Sequence, residues 1–421
     1  MGFLDKLLKK NKSIKLIKLW EFDSYSELSS SPVVTSLGDS GETVIVFGTK
    51  DGKIYAVDDE AKVKWLYDLK QKLTTLQSLF YDSESTYSIY TTPVIDDIDK
   101  DNVKEIIVGS DSRELLVLDI NGQLKWKFKT GGKIRSTPLL YDINKDGYNE
   151  IIFGSQDNHL YCLDCKGNLI WKYDANSPID SSPNVLHLFD EISILFGTDD
   201  GRLIALNEHG HFKWDFKTRG KIIVRPTIAN LKKDVEKQII FGSYDKNLYC
   251  LTSFGSLLWN FQTEGRIVAN AVVADINNDG YQEIIFGSCD NKVYALNHNG
   301  ELLWDFETDF WIVDTPIISD IDDDGKLEVI VGSFDKSLYI LDSQGTFIIN
   351  YIPGISTITP QYNLGDLFSK PVGSYKASLL GRYKLEDLII GTYFFIDKNG
   401  QKYLLIGIKS GKIHNFGVNK R

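Results

Sequence analysis

A chain of 421 residues with a formal net charge of −11 is too acidic for nucleic acid, which calls for a surface rich in Lys and Arg. With 42% hydrophobic and 12% aromatic residues it can fill a large core, and its 34 Gly against 10 Pro suit many tight turns. The length allows two or three ordinary domains or one large repeat fold.

Residues 1–12, "MGFLDKLLKKNK", hold no apolar stretch long enough for a signal peptide or a membrane span. Gly2 invites N-myristoylation, but Lys6 stands where that motif needs Ser or Thr. Phe3, Leu4, Leu7 and Leu8 can share a helical face opposite Lys6, Lys9 and Lys10. A helix this short is marginal in water, so a flexible tail is the expectation, with weak peripheral membrane contact as the alternative. The chain as given reads as cytoplasmic.

Next comes a lone strand, "LIKLWEF", around Trp20. Trp20, Trp65, Trp126, Trp171, Trp214, Trp259 and Trp304 follow one another at steps of 45, 61, 45, 43, 45 and 45 residues, and a further 45 reaches Ile349. A glycine opens the phrase that leads to each step: Gly48, Gly109, Gly154, Gly197, Gly242, Gly287, Gly332 and Gly407. Each unit reads as four strands separated by Asp, Asn and Gly turns: "TPLLYD" (A), "EIIFGS" (B), "HLYCLD" (C) and "NLIWKYD" (D). A period near 45 with four strands per unit is the mark of a β-propeller. The last unit ends at "KIHNFGVNKR" without a strand D. The N-terminal strand is therefore expected to complete the C-terminal blade, closing an all-β ring of eight four-stranded antiparallel blades over 13–421 and leaving no open sheet edge at the seam.

Two segments break the period, about 66–91 and 351–387. Both are expected in D–A connections, with the second preceding the last strand A, "DLIIGTYFFID". In such a ring the A–B and C–D turns share one face and the D–A and B–C loops the other. Long loops on a rigid scaffold are where recognition usually lives.

Four A–B loops repeat an acidic phrase: "DIDKDNVKE" (97–105), "DINKDGYNE" (142–150), "DINNDGYQE" (275–283) and "DIDDDGKLE" (320–328). Alternating side chains offer oxygens: Asp97, Asp99, Asp101 and Glu105; Asp142, Asn144, Asp146 and Glu150; Asp275, Asn277, Asp279 and Glu283; Asp320, Asp322, Asp324 and Glu328. Gly at the sixth position makes the sharp turn, replaced in the first loop by Asn102, which also tolerates left-handed geometry. A backbone carbonyl such as that of Tyr148 or Asn149 can complete the set. Hard oxygens in this number suit Ca²⁺ better than the tighter octahedron of Mg²⁺. About four structural Ca²⁺ ions are the expectation, and a polar hairpin without an ion is the alternative. An EF-hand is excluded because its last acidic residue comes at position 12 between helices. Other units carry degenerate loops such as "NLKKDVEKQ", where Lys232 takes a ligand position.

Seven residues after a blade tryptophan come Lys133, Lys221, Arg266 and Trp311, with Arg135 and Arg225 close by. This basic arc, with Phe310 beside Trp311, marks the D–A face as a dock for a protein or acidic peptide, or for a glycan.

The lone Cys162-x-x-Cys165 lacks the second ligand pair of a zinc site. Cys162 holds a position filled elsewhere by Ala56, Ala205, Cys250 or Ala295, so a packed thiol is expected. His159, His187, His209, His211, His298 and His414 are scattered, and solvated turn residues are expected. No nucleophile motif and no phosphate-binding glycine loop occurs.

"YCLDCKGNLIW" and "YALNHNGELLW" resemble the quinoprotein-type (PQQ-like) propeller repeat, and "DINKDGYNEIIFG" resembles FG-GAP/VCBS repeats. The first resemblance implies a tryptophan that docks each blade on its neighbour; the second implies calcium in the acidic loops. Quinoprotein dehydrogenases resemble this repeat, but the adjacent cysteine pair that many carry is missing, and repeat homology does not imply activity. The reading is thus a non-enzymatic, monomeric interaction scaffold with no organic cofactor. A carbohydrate or surface-ligand binder of FG-GAP type is the alternative, and a quinone enzyme the third reading.

Overall fold

The strands of each unit have different tasks. Strand B is an apolar run buried at every position, as in Glu105–Gly109, Glu150–Gly154 and Glu283–Gly287, because neighbouring blades cover both its faces. Strand D alternates half-buried with exposed residues, throughout Leu124–Lys129 and after two exposed leucines in Leu257–Gln262, as befits the outermost strand. The computed structural model describes residues 14–37, 42–72, 86–188, 191–232, 236–343, 346–349, 373–397 and 400–418.

These strands form eight blades with four antiparallel strands each, in order A-B-C-D. Blades 1 to 6 occupy 33–68, 94–129, 139–174, 184–217, 227–262 and 272–307. Blade 8 combines Ile389–Ile396, Lys402–Ile408 and Lys412–Val418 with the N-terminal strand Leu16–Asp23. The register runs from Leu16 opposite Val418 to Asp23 opposite Lys412, so the chain's two ends close the ring as the sequence suggests. The core is a circle of clusters, each shared by two blades. One joins Ile152 and Leu160 of blade 3 to Ile194 and Phe196 of blade 4; another joins Phe47 and Tyr55 of blade 1 to Leu405 and Ile413 of blade 8 across the seam.

Two contacts explain the repeated glycines and tryptophans. A Cβ on Gly154 would lie 2.2 Å from Cγ2 of Ile179, which comes from the following D–A loop, so only a bare Cα lets the loop pass. The tryptophan indole reaches the next blade's C–D turn: Trp65 donates to the Ile120 carbonyl at 2.8 Å, Trp126 to Cys165 at 3.2 Å and Trp171 to Glu208 at 3.0 Å. The turn glycine beneath, Gly122, has φ +79° and leaves no room for a Cβ above the Trp65 ring.

Blade 7 departs from the expectation. Its strand D is Leu379–Lys384, where Gly381 takes the tryptophan position opposite Ile340. Thr346–Ile349, where the period places that strand, instead pairs with Gly373–Lys376 as a hairpin. The hairpin adds to the outer edge of blade 6 through Asp305 opposite Lys376, making a six-stranded sheet. The second insertion therefore leaves from the C–D connection of blade 7, on the face of the acidic loops, and the D–A connection expected to hold it is short. Covering a free edge is the physical gain, and Trp304 below it is only 1% exposed. The first insertion does leave strand D of blade 1, through a 3-10 turn at Leu69–Lys72. Residues 73–85 and 350–372 lie outside the described residues, as does the tail 1–13.

Candidate functional site

The four acidic loops share one backbone. Their fourth and sixth residues are left-handed: Lys100 and Asn102, Lys145 and Gly147, Asn278 and Gly280, Asp323 and Gly325. The first Asp caps the turn, with Asp97 accepting the Asn102 N–H at 2.9 Å, Asp142 that of Gly147 at 2.9 Å, Asp275 that of Gly280 at 3.0 Å and Asp320 that of Gly325 at 2.9 Å. The final Glu accepts the N–H of the loop's second residue, a buried isoleucine: Ile98 to Glu105 at 3.1 Å, Ile143 to Glu150 at 2.8 Å, Ile276 to Glu283 at 3.0 Å and Ile321 to Glu328 at 2.9 Å. In the degenerate loop of blade 5 the neutral Gln238 accepts the Leu231 N–H in the same way, at 3.0 Å. That bond therefore needs an oxygen but no charge.

The charge itself is poorly served. Glu105, Glu150, Glu283 and Glu328 are each at most 3% exposed. Burial pushes all four carboxyls up, Glu283 and Glu328 to about 7. Oxygens of Asp97, Asp99 and Asp101 converge within 4.8 Å of one another, as do those of Asp320, Asp322 and Glu328. In blade 2 the Lys125 ammonium stands among them, 2.8 Å from Asp99 and 2.8 Å from Glu105. In blade 3 the Asn144 amide nitrogen donates to Glu150 at 2.8 Å and Asp146 at 3.1 Å, and in blade 6 that of Asn277 donates to Asp279 at 3.0 Å. Ligation of a cation there requires the amide to turn its oxygen inward.

Blade 6 shows how the donor set suits calcium. Glu283 is 0% exposed, and its Oε1 has no hydrogen-bond partner among the described residues. A fully buried carboxylate oxygen beside an acidic loop and without a donor is one that a cation can satisfy. The donor set therefore fits a hard divalent ion.

On the opposite face the basic arc is largely spoken for. Lys133 reaches Asp111 at 3.0 Å, and Arg135 grips the same carboxylate through Nε at 2.9 Å and Nη2 at 2.8 Å. Lys221 pairs with Asp199. Arg225 donates to Asn184 at 3.3 Å, and its own N–H goes to Asn270 at 2.8 Å. The sequence reading missed that Asp111 and Asp199 lie two residues after the repeat glycines, in B–C turns that face the D–A loops. Arg135, Lys221, Asp180, Asp199, Ile223 and Tyr244 line a depression of about 340 Å³ with mixed charge.

An aromatic patch remains on this rim. Phe310 and Trp311 stack at 5.1 Å and are 44% and 36% exposed. The Arg266 guanidinium lies over Trp311 at 5.8 Å and Tyr244 at 5.0 Å. Inside the rim, residues in register pass hydrogen bonds from blade to blade: Thr137 N–H to Ser182 at 3.0 Å, and Asn270 to Thr315 at 3.1 Å. One residue earlier in the register, among Ser136, Ser181, Val224 and Ala269, stands the charged Asp314. It accepts the Thr392 hydroxyl at 2.7 Å, and burial raises its carboxyl to about 7.

Cys162 is buried, its thiol pushed up by burial, and no cysteine forms a disulfide. His414 contradicts the expectation of a solvated turn residue. It sits in strand C of blade 8 with its side chain 1% exposed, and neither ring nitrogen has a hydrogen-bond partner among the described residues. Glu21 and Glu386 flank it at 3.4 and 3.6 Å, and Lys412 bridges these two carboxylates at 2.9 Å each. Among the described residues no helix is long and apolar enough to cross a membrane.

Comparison with known proteins agrees with this architecture. No curated protein matches by sequence. The crystal structure of BamB from Moraxella catarrhalis is similar at 15% identity and TM-score 0.61, over 96% of this chain and 100% of that one. A europium-containing methanol dehydrogenase is similar at 11% identity and TM-score 0.67, over 96% of this chain and 93% of that one. BBS1N, crystallised in complex with ARL6DN and soaked with lead, is similar at 13% identity and TM-score 0.51, over 78% and 91%. Identities this low show the fold alone, a β-propeller. Residues 88–382 match the family model described as the beta-propeller of the beta-alanine-activating enzyme, and the chain belongs to that β-propeller family.

Proposed function

We propose that this propeller is a non-enzymatic interaction scaffold that binds a protein on its D–A face. The exposed stack of Phe310 and Trp311 with Arg266 beside it carries the reading. Large aromatic side chains and arginine left at a surface are what interface hot spots are made of. Lys133, Arg135 and Lys221 are held by carboxylates of their own chain, so they shape the rim rather than supply free charge. The partner segment this patch suits is apolar or aromatic with an acidic residue for Arg266. BBS1N, a propeller of similar fold, was crystallised with a protein, ARL6DN, which supports the class of function without naming a partner.

The acidic loops of the other face take Ca²⁺ in this reading, as structural staples. Paired affinity capture tests the docking face. Wild-type chain and a Phe310→Ala/Trp311→Ala variant are used as bait in an extract of the native organism. The partner is the protein lost from the variant's capture by at least about tenfold, since two hot-spot truncations remove on the order of 2–4 kcal/mol. Identical captures would sink the assignment of this face.

A further inference from the structure

The loops of blades 2 and 7 carry the same carboxylates at the same spacing, Asp97, Asp99, Asp101 and Glu105 against Asp320, Asp322, Asp324 and Glu328. What faces them from strand D differs. In blade 2 the residue before the tryptophan is Lys125, whose Nζ lies 2.8 Å from Asp99 Oδ2, 2.8 Å from Glu105 Oε1 and 3.8 Å from Asp101 Oδ2. The residue in the same register is Ile170 in blade 3, Leu303 in blade 6 and Leu380 in blade 7. In blade 7 a lysine arrives from the neighbouring blade instead: Lys402 binds Asp323 at 2.6 Å and the Asp320 carbonyl, while Asp320, Asp322 and Glu328 still converge.

The final glutamates record the consequence. Both oxygens of Glu105 are matched, one by the Ile98 N–H at 3.1 Å and one by Lys125 at 2.8 Å. Glu283 keeps the equivalent N–H, from Ile276 at 3.0 Å, but its Oε1 has no partner among the described residues although the residue is 0% exposed. A buried charged oxygen is not left unmatched without a cost. In blade 2 the lysine satisfies that oxygen and in blade 3 the Asn144 amide does, at 2.8 Å; in blade 6, where the register position is leucine and the Asn277 amide turns to Asp279, no donor among the described residues does.

We infer that Lys125 is a built-in cation: its ammonium holds in blade 2 the place that a divalent ion takes in the loops of blades 3, 6 and 7. The inference rests on the calcium reading and refines it, since blade 2 then carries a cation of its own. An ammonium and a divalent ion cannot share one cage, because like charges a few ångströms apart repel. The three donors of the ammonium suit two or three carboxylate oxygens, whereas Ca²⁺ would ask for six to eight.

Native mass spectrometry of the full chain in calcium, with melting measured in EDTA and in calcium, tests this. Lys125→Met should bind one more ion per chain than the wild type. In EDTA it should melt below the wild type, and calcium should restore it. Ile170→Lys, at a position 47% exposed that tolerates lysine, should bind one ion fewer. Equal, non-zero counts in wild type and Lys125→Met overturn the inference and leave the calcium reading standing. No ion on any of the three chains sinks the calcium reading and the inference with it.

Discussion

Asp314 shows what one residue can cost a ring. At its register position the other loops place small or apolar residues such as Ser30, Thr91, Ser136 and Ala269. Its carboxyl, raised to about 7 by burial, stays neutral in the folded chain where the unfolded chain would already be ionised. A group whose folded pKa lies above its unfolded value favours folding while protonated. Its stabilisation is greatest below the unfolded value near 4, declines as pH rises towards about 7, and is level above that. Asp314→Asn should remove this slope and raise stability at pH 8 by about 1–3 kcal/mol; denaturant titrations across pH 5–8 would read it. An unchanged slope would mean the carboxyl is ionised throughout. Gly154→Ala is the opposite test, forcing a Cβ within 2.2 Å of Ile179. It should cost about 2 kcal/mol or more, and less in an Ile179→Ala background because the two sites touch.

At the scale of elements, the strand Leu16–Asp23 is the clasp of the ring. Removing residues 1–23 exposes strand C of blade 8 and breaks the cluster that Trp20 and Phe22 share with blades 1 and 8. Aggregation or a large fall in melting temperature is expected, whereas removing 1–11 should leave melting unchanged. If the longer truncation melts like the full chain, the N-terminal strand does not close the ring. The clasp was legible because Trp20 stands 45 residues before Trp65 with no strands A to C ahead of it. The strand D of blade 7 was not, because Gly381 has no indole to announce it and the 45-residue step falls on a hairpin strand instead. Lys125 escaped notice for another reason. On paper it is one more lysine on an edge strand, and only the register across strand C shows that it reaches Glu105. The acids that neutralise the rim, Asp111 and Asp199, were visible but belong to turns that pair with the loop of a different repeat step.

The whole molecule has two faces with different chemistry. One carries the acidic loops together with the hairpin that leaves blade 7; the other carries the aromatic rim. Calcium that binds the folded loops and not the unfolded chain must stabilise the fold by mass action. Adding EDTA should therefore lower the melting temperature, and Asp279→Ala with Asp146→Ala should remove most of that response. Melting that ignores both calcium and EDTA would leave the loops as polar hairpins. The proposed division of labour predicts that the double loop variant, refolded and monodisperse, still binds its partner, because the proposed ion sites lie on the face opposite the proposed docking rim. The most direct test of that division is hydrogen–deuterium exchange on the full chain with and without its captured partner. Protection should concentrate on the peptides holding Tyr244, Arg266, Phe310 and Trp311. Protection confined to the acidic loops, with the rim exchanging as in the free chain, would contradict the account.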